Sequence, residues 1–287
     1  MMPNIRFRVV AAIVVLMALI GSCPGARAEL YELDLHLHSS ELPDNGYPAE
    51  IGASDALLPV KAAAKQARPA GSQFDFIGVA SGESFWRLPK SQNGSLLYLS
   101  IGTEELTPAD FASTITLSLV SVTGTGGGAA PGVFSVWDID DFGGVVPLMS
   151  TLTGAGTPNS LAVAAGGHYH RNYGFTAPGL YNVEFTATAT LAAALGGGQV
   201  TGSAIYSFGV FDVGSDYSYP SGAMPWTYQG QQFSIPLIGN EHIDMGIALA
   251  AVPEPSSVVL AGMGAAGLAG AALRSRMRRR QSAAPRV

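Results

Sequence analysis

The chain has 287 residues, of which 47% are hydrophobic and 13% charged, and its formal net charge is −6 at pH 7. Nine of the fifteen basic residues lie in residues 1–28 and 253–287, so residues 29–252 carry six basic and twenty acidic residues. Such an acidic region lacks the basic footprint that nucleic-acid binding requires, and it suits cation binding or simple solubility. The single cysteine, Cys23, lies outside this region, so a metal bound there must use His, Asp, Glu or backbone oxygen.

Residues 1–28 have the pattern of a secretory signal peptide. Two early arginines precede an apolar run over residues 9–20, which is short for a membrane span. An A-x-A site ends at Ala28, which makes Glu29 the expected first residue of the mature protein. An uncleaved signal anchor and a lipoprotein processed at Cys23 are the alternatives.

Residues 252–287 carry a second targeting pattern. Pro253, Glu254 and Pro255 form a P-E-P motif, an apolar Gly/Ala-rich segment follows over residues 258–273, and five arginines come next. The apolar segment predicts a transmembrane helix, with the arginines on its cytoplasmic side. The whole resembles the PEP-CTERM sorting signal of Gram-negative bacteria. That resemblance implies an exosortase-type processing enzyme as partner, an inner-membrane anchor before processing and then the cell surface or extracellular matrix; the alternative is a plain C-terminal membrane anchor.

In chain order, short apolar runs alternate with Gly-rich turns between the two targeting segments. The predicted strands are residues 74–80, 95–102, 113–122, 132–139, 179–191 and 202–213. Alternation in 113–122 slips at Val120, which suggests a bulge or a strand end. We also expect a short helix in 55–68, a helical turn at 108–111 and a packed irregular loop over 216–232. The pattern predicts an all-β fold, an antiparallel β-sandwich over residues 29–251.

Three stretches of this region resemble a known family when taken together. They are FIGVASGESFWRLPKSQNGSLLYLSIGTEEL at 76–106, GVFSVWDIDDFG at 132–143 and GGHYHRNYGFTAPGLY at 166–181. Their order and sequence are similar to the choice-of-anchor M domain of surface proteins, over roughly residues 70 to 213. The H-x-D-x-G at 242–246 also resembles an element of that family, although there it precedes the strands. The resemblance implies a link to zinc or manganese homeostasis, and a zinc-repressed PEP-CTERM branch in particular.

All five histidines of the chain lie in H-x-H or H-x-D pairs. The candidate metal ligands are His36, His38, His168, His170, His242 and Asp244. Residues i and i+2 of a strand face the same side, so each pair offers two ligands together. Zinc takes about four N, O or S ligands at about 2.0–2.2 Å, which are histidine and carboxylate where thiolates are missing. The alternative is structural: His168 and His170 hold the next turn by hydrogen bonds, with Asn172 helping.

Other polar residues are weaker candidates. Glu104 and Glu105 offer a carboxylate to a histidine site. Asp138, Asp140 and Asp141 offer oxygens to calcium, but they lack the EF-hand spacing and are typical of a solvated strand end. In 166–181, Phe175 and Tyr181 are expected to be core or tyrosine-corner residues beside a Pro-Gly turn.

The sequence shows no supported nucleophile and no G-x-S-x-G, H-E-x-x-H or P-loop motif, so we expect no enzyme activity. We expect instead an exported, surface-sorted protein that binds zinc or a similar divalent metal through histidines, for acquisition or buffering. Its expected partners are signal peptidase, the exosortase-type enzyme and a metal uptake system. The alternative is a structural or adhesive component of the envelope or exopolysaccharide matrix that binds no metal.

Overall fold

The computed structural model describes residues 52–213, 225–237 and 239–251. The signal peptide, His36, His38, the P-E-P motif and the predicted helix 258–273 lie outside these residues. Within them, no helix has the length and apolar character that crossing a membrane requires.

The described chain is built mainly from short strands. They are β1 (Ala56–Val60), β2 (Lys65–Ala67), β3 (Ser84–Leu88), β4 (Tyr98–Gly102), β5 (Ile115–Thr123), β6 (Phe134–Ile139), β7 (Val145–Ser150), β8 (Ser160–Val163), β9 (His168–His170), β10 (Asn172–Phe175), β11 (Gly179–Thr190), β12 (Gln199–Val210), β13 (Trp226–Tyr228), β14 (Gln231–Phe233), β15 (Ile235–Pro236), β16 (His242–Met245) and β17 (Ala250–Ala251). The 3-10 helices are Ala62–Ala64, Ser72–Ile77, Pro108–Asp110, Thr125–Gly127 and Ala193–Leu195. The all-β prediction is therefore confirmed, as is the helical turn before β5.

The strands form two large sheets and two small ones. The seven-stranded sheet has the order β15-β1-β12-β11-β5-β8, with β17 also beside β12, and the five-stranded sheet has the order β2-β3-β10-β6-β7. A three-stranded sheet, β16-β4-β9, carries His168, His170 and His242, and β13 and β14 form a hairpin. This hairpin shows that the irregular loop predicted over 216–232 is wrong for the part that the structure describes.

Side chains from both large sheets meet in one core. In β11 alternate residues are buried, because β11 lies between β12 and β5 with one face turned inward. Phe208 of β12 lies 6.1 Å from Phe134 of β6 and 6.4 Å from Tyr173 of β10, measured between ring centroids. Since β12 belongs to one sheet and β6 and β10 to the other, the sheets pack face to face, as a sandwich requires.

Two sequence predictions of secondary structure are wrong. The expected helix over 55–68 is mainly strand, because β1 is fully buried and pairs in parallel with both β12 and β15. The expected strand over 74–80 is instead the 3-10 helix Ser72–Ile77. Arg68 stabilises this turn: its guanidinium donates to the carbonyls of Gly71 and Phe74 and contacts the carboxylate of Asp75.

Two finer predictions are confirmed. The register between β5 and β11 shifts at Glu184 and Phe185, and Val120 is the extra residue of the resulting bulge, with 54% of its surface exposed. Tyr181 is a buried corner residue. Its hydroxyl donates to the carbonyl of Ala177 at 2.8 Å and accepts from the Ala177 amide at 3.2 Å, and Phe175 packs beside it in the core.

Candidate metal centre

The three-stranded sheet brings the predicted ligands together. Its middle strand, β4, pairs in parallel with β16 and antiparallel with β9. In this register Ser100 of β4 lies opposite both His170 and Asp244. His168 lies opposite Gly102, and His242 lies opposite Tyr98. Because alternate residues of a strand share a face, three histidines and one aspartate lie on the same side of this sheet.

The opposite face of this sheet explains why it forms. Leu99 and Ile101 of β4 and Ile243 and Met245 of β16 are buried in the main hydrophobic core. Each strand therefore alternates between an apolar side chain directed inward and a polar side chain on the other face. The polar face lies near the surface: the side chain of His168 is 27% exposed.

His168 and His170 present their Nε2 atoms to each other. The Nδ1 of His168 lies 2.6 Å from Oε1 of Glu104, and the Nδ1 of His170 lies 2.8 Å from the carbonyl oxygen of Leu99. Both partners are acceptors, so in the neutral rings each Nδ1 carries the hydrogen and each Nε2 carries a lone pair. The two Nε2 atoms are 2.9 Å apart. Two lone pairs this close repel, unless a cation binds both.

His242 and Asp244 complete the cluster. The ring of His242 lies 5.0 Å from that of His168 and 5.2 Å from that of His170. The Nε2 of His242 is 3.2 Å from Oδ1 of Asp244, and the other carboxylate oxygen of Asp244 is 3.7 Å from Nδ1 of His168. Ser100 donates a hydrogen bond to Asp244, whose side chain is only 3% exposed.

The cluster contains two overlapping sets of three residues, and within each set the possible ligand atoms all lie within 4.8 Å of one another. One set is His168, His170 and His242, and the other is Glu104, His168 and Asp244. Imidazole and carboxylate without thiolate suit zinc and also copper, nickel or iron, whereas magnesium and calcium prefer oxygen alone. The residues present therefore fit a divalent transition metal, and zinc among them.

The surroundings keep His170 in the form that binds metals. Its pKa is lowered because burial disfavours the imidazolium, and the nearby rings of His168 and His242 act in the same direction; the hydrogen bond to Leu99 and the charge of Asp244 offset this only in part. Tyr98 stacks on His170 with ring centroids 3.7 Å apart and an interplanar angle of 12°. Burial, together with the charge of Asp244, raises the pKa of Tyr98, which keeps that phenol neutral.

Gly102 leaves room in the centre of the cluster. A Cβ at this position would lie 3.0 Å from Cβ of Asp244 and 3.5 Å from Oε2 of Glu104. A larger residue there would separate β16 from the loop that carries Glu104. Close approach, and not an unusual backbone angle, is the reason for a glycine at this position.

The structure brings some of the predicted site residues together and leaves others outside the cluster. His168, His170, His242 and Asp244 come together, and Glu104 joins them while Glu105 belongs to neither ligand set. The H-x-D-x-G element comes late in the chain, yet parallel pairing with β4 brings it into the cluster. Sequence reasoning missed Tyr98, Ser100 and Gly102, although their alternation in a predicted strand beside Glu104 was the available signal.

The acidic run at 138–141 has other roles. Asp138 pairs with Lys90 at 2.6 Å and with Arg171 at 3.3 Å. Burial opposes the charge of Asp138, but hydrogen bonds from Lys90 and the Ile139 amide and the charge of Arg171 hold the pKa of this carboxyl below its ordinary value. Asp140 accepts from two backbone amides of the β6–β7 turn. These contacts give the two carboxylates partners within the protein.

Comparison with known proteins gives a match that covers the C-terminal part of the chain. No curated protein matches the chain, and neither does any solved structure. Residues 251–279 match the family model of the PEP-CTERM protein-sorting motif. The chain therefore carries a PEP-CTERM sorting signal, which indicates an exported surface protein that an exosortase processes.

Proposed function

We propose that the exported domain binds one divalent transition metal, zinc first of all, through His168, His170 and His242. The observation that carries this proposal is the approach of two Nε2 lone pairs to 2.9 Å. A proton between the rings would also relieve their repulsion. The lowered pKa of His170 disfavours a proton on that ring, whereas a metal binds neutral imidazoles.

Outer-sphere contacts support the same assignment. Metal-binding histidines commonly donate their second N–H to a carboxylate or a backbone carbonyl, which fixes the ring orientation and raises its basicity. Glu104 has this position relative to His168, and the Leu99 carbonyl has it relative to His170. Asp244 is close enough to His242 to act as fourth ligand or as its hydrogen-bond partner.

Metal acquisition or buffering outside the inner membrane fits the setting of this site. The excess of acidic residues in 29–252 attracts cations, and a partly exposed site allows metal to enter and leave. The resemblance to the choice-of-anchor M domain and its zinc-repressed PEP-CTERM branch supports the same function. Signal peptidase and a metal uptake system are the further partners that we propose, and we propose binding without catalysis.

Zinc titration of the full chain, purified in detergent without a histidine tag, tests this function. The wild type is expected to bind one zinc ion with a Kd below micromolar, measured by competition with a chromophoric chelator. The double variant His168→Ala plus His170→Ala is expected to bind at least about 100-fold more weakly, because ligands and their orienting partners are lost together.

The matched control is the second H-x-H pair. His36→Ala plus His38→Ala removes the same two side chains from the N-terminal part of the chain and is expected to retain the wild-type affinity. Wild-type protein without submicromolar binding would refute the proposed function. Weakened binding in the control variant alone would move the site to the N-terminal pair.

A further inference from the structure

Residues 242–249, which precede β17 near the end of the described chain, supply two of the clustered side chains. We call this stretch the C-terminal segment. It begins with β16, which has four residues and pairs with β4 alone among the described strands. Its polar side carries His242 and Asp244, while the other cluster residues, His168, His170 and Glu104, come from distant parts of the sequence.

The C-terminal segment also packs against the seven-stranded sheet. Ile243, Met245, Ile247 and Leu249 are buried in the main core. The hydroxyl of Tyr206 in β12 donates to the carbonyl of Gly246, and a Cβ at Gly202 of β12 would overlap the carbonyl oxygen of Ala248. The backbone of the segment therefore lies directly on β12, and the metal centre lies at the N-terminal end of this contact.

We propose that the bound metal locks the C-terminal segment onto the domain. This inference rests on the proposed function. A metal held by His168, His170 and His242 connects β9 with β16, so β16 cannot separate from β4 while all three ligands remain bound. The segment then opens only when the metal is released. Tighter metal binding therefore raises the free energy of local opening of the segment.

The segment lies just before the sorting motif, so the coupling to metal affects the chain that leads to this motif. The sorting motif begins at residue 251, two residues after the segment. β17 follows the segment, pairs with β12 and reaches residue 251, the first residue of the motif, so opening of the segment also releases β17. Without metal, the segment opens more often and lengthens the accessible stretch that precedes the motif. Metal occupancy thereby regulates how much flexible chain precedes the sorting signal.

Hydrogen exchange of the full chain in detergent, read by mass spectrometry with and without zinc, tests this coupling. In metal-free protein the segment is expected to exchange faster than β11. At a free zinc concentration of 100 times Kd, exchange in the segment is expected to slow by about 100-fold, because opening must first expel the metal. His168→Ala is expected to abolish this slowing although it leaves the segment unchanged in sequence.

The outcomes separate the two proposals. A wild type that binds no zinc refutes the proposed function and this inference together. A wild type that binds zinc tightly, but whose segment exchanges at the same rate with and without zinc, refutes the inference and leaves the proposed function standing. His242→Ala provides a second check: full zinc affinity in this variant would also refute the inference, because the metal would then not join β16 to β9.

Discussion

Single hydrogen bonds determine which nitrogens are available to a metal. Glu104 and the Leu99 carbonyl each accept from an Nδ1–H, and this directs the Nε2 atoms of His168 and His170 toward each other. The two contacts differ in kind. The Leu99 carbonyl is fixed by the β4 backbone, whereas Glu104 has a side chain that is 48% exposed and can be replaced with little effect on the core.

We expect Glu104→Gln to weaken zinc binding by about 10- to 100-fold, because the carboxylate that orients His168 and raises its basicity becomes a neutral amide. Chelator competition measures the change. Glu105→Gln is the matched control, since it removes the same charge from the adjacent position and is expected to leave the affinity within about twofold. Equal losses in both variants would mean that general electrostatic attraction, and not the contact with His168, sets the affinity.

Zinc binding is expected to weaken in acid, with the onset set partly by His170. Burial lowers the pKa of His170, so this ring keeps its lone pair below the ordinary imidazole pKa of about 6.5. The proton removes the lone pair only as pH falls through the lowered value, and the metal is then displaced. Titrations between pH 8 and pH 5 check this. Undiminished affinity at pH 5 would contradict a site made of three histidines, because protons compete with the metal for imidazole lone pairs.

At this scale the sequence predicts ligand types better than ligand surroundings. The i, i+2 spacing correctly predicts that His168 and His170, and His242 and Asp244, share a face. It contains no information on the Leu99 carbonyl or on the stacking of Tyr98, because these contacts arise only when β4 pairs with β9. Glu104 follows β4 on a turn, and its approach to His168 depends on the path of that turn.

At the scale of elements, the site depends on the register of three short strands. Long strands with alternating apolar residues, such as β11 and β12, are predictable from sequence because their own periodicity reports one buried face. The stretch 55–68 shows the limit: β1 is a strand because β12 and β15 pair with it, and pairing between distant segments is not encoded locally. The parallel pairing of β16 with β4 is equally non-local.

Gly202 tests how closely the C-terminal segment lies on β12. Gly202→Ala is expected to lower the free energy of unfolding by about 1–3 kcal/mol and to weaken zinc binding, because a methyl group would displace the backbone at Ala248. Chemical denaturation and zinc titration measure the two effects. Gly198→Ala, directly before β12 and with open space around it, is expected to change stability by less than about 0.5 kcal/mol. A harmless Gly202→Ala would contradict the close contact.

At the scale of the whole molecule, an acidic region precedes a sorting signal. The sequence predicts this organisation well, because P-E-P, an apolar segment and terminal arginines form a pattern that does not depend on the fold. The all-β class is also predictable, from the recurring short apolar runs. The division into four sheets is not, since it requires knowledge of which strands pair.

Replacing Pro253, Glu254 and Pro255 together by alanine is expected to block processing. The unprocessed chain should then accumulate in the membrane fraction, as immunoblots of fractionated cells would show. Ser256→Ala plus Ser257→Ala changes the adjacent positions and is expected to leave processing intact. Normal processing of the P-E-P variant would mean that the motif at 251–279 does not direct it.

The placement of β16 at the end of the domain also determines when the centre can assemble. During N-to-C synthesis and export, Glu104, His168 and His170 emerge well before His242 and Asp244. In a chain that crosses the membrane unfolded, the ligand set proposed above is complete only after nearly the whole domain has crossed. A metal held by all three histidines would then be taken up outside the cytoplasm, from the compartment in which the protein is displayed.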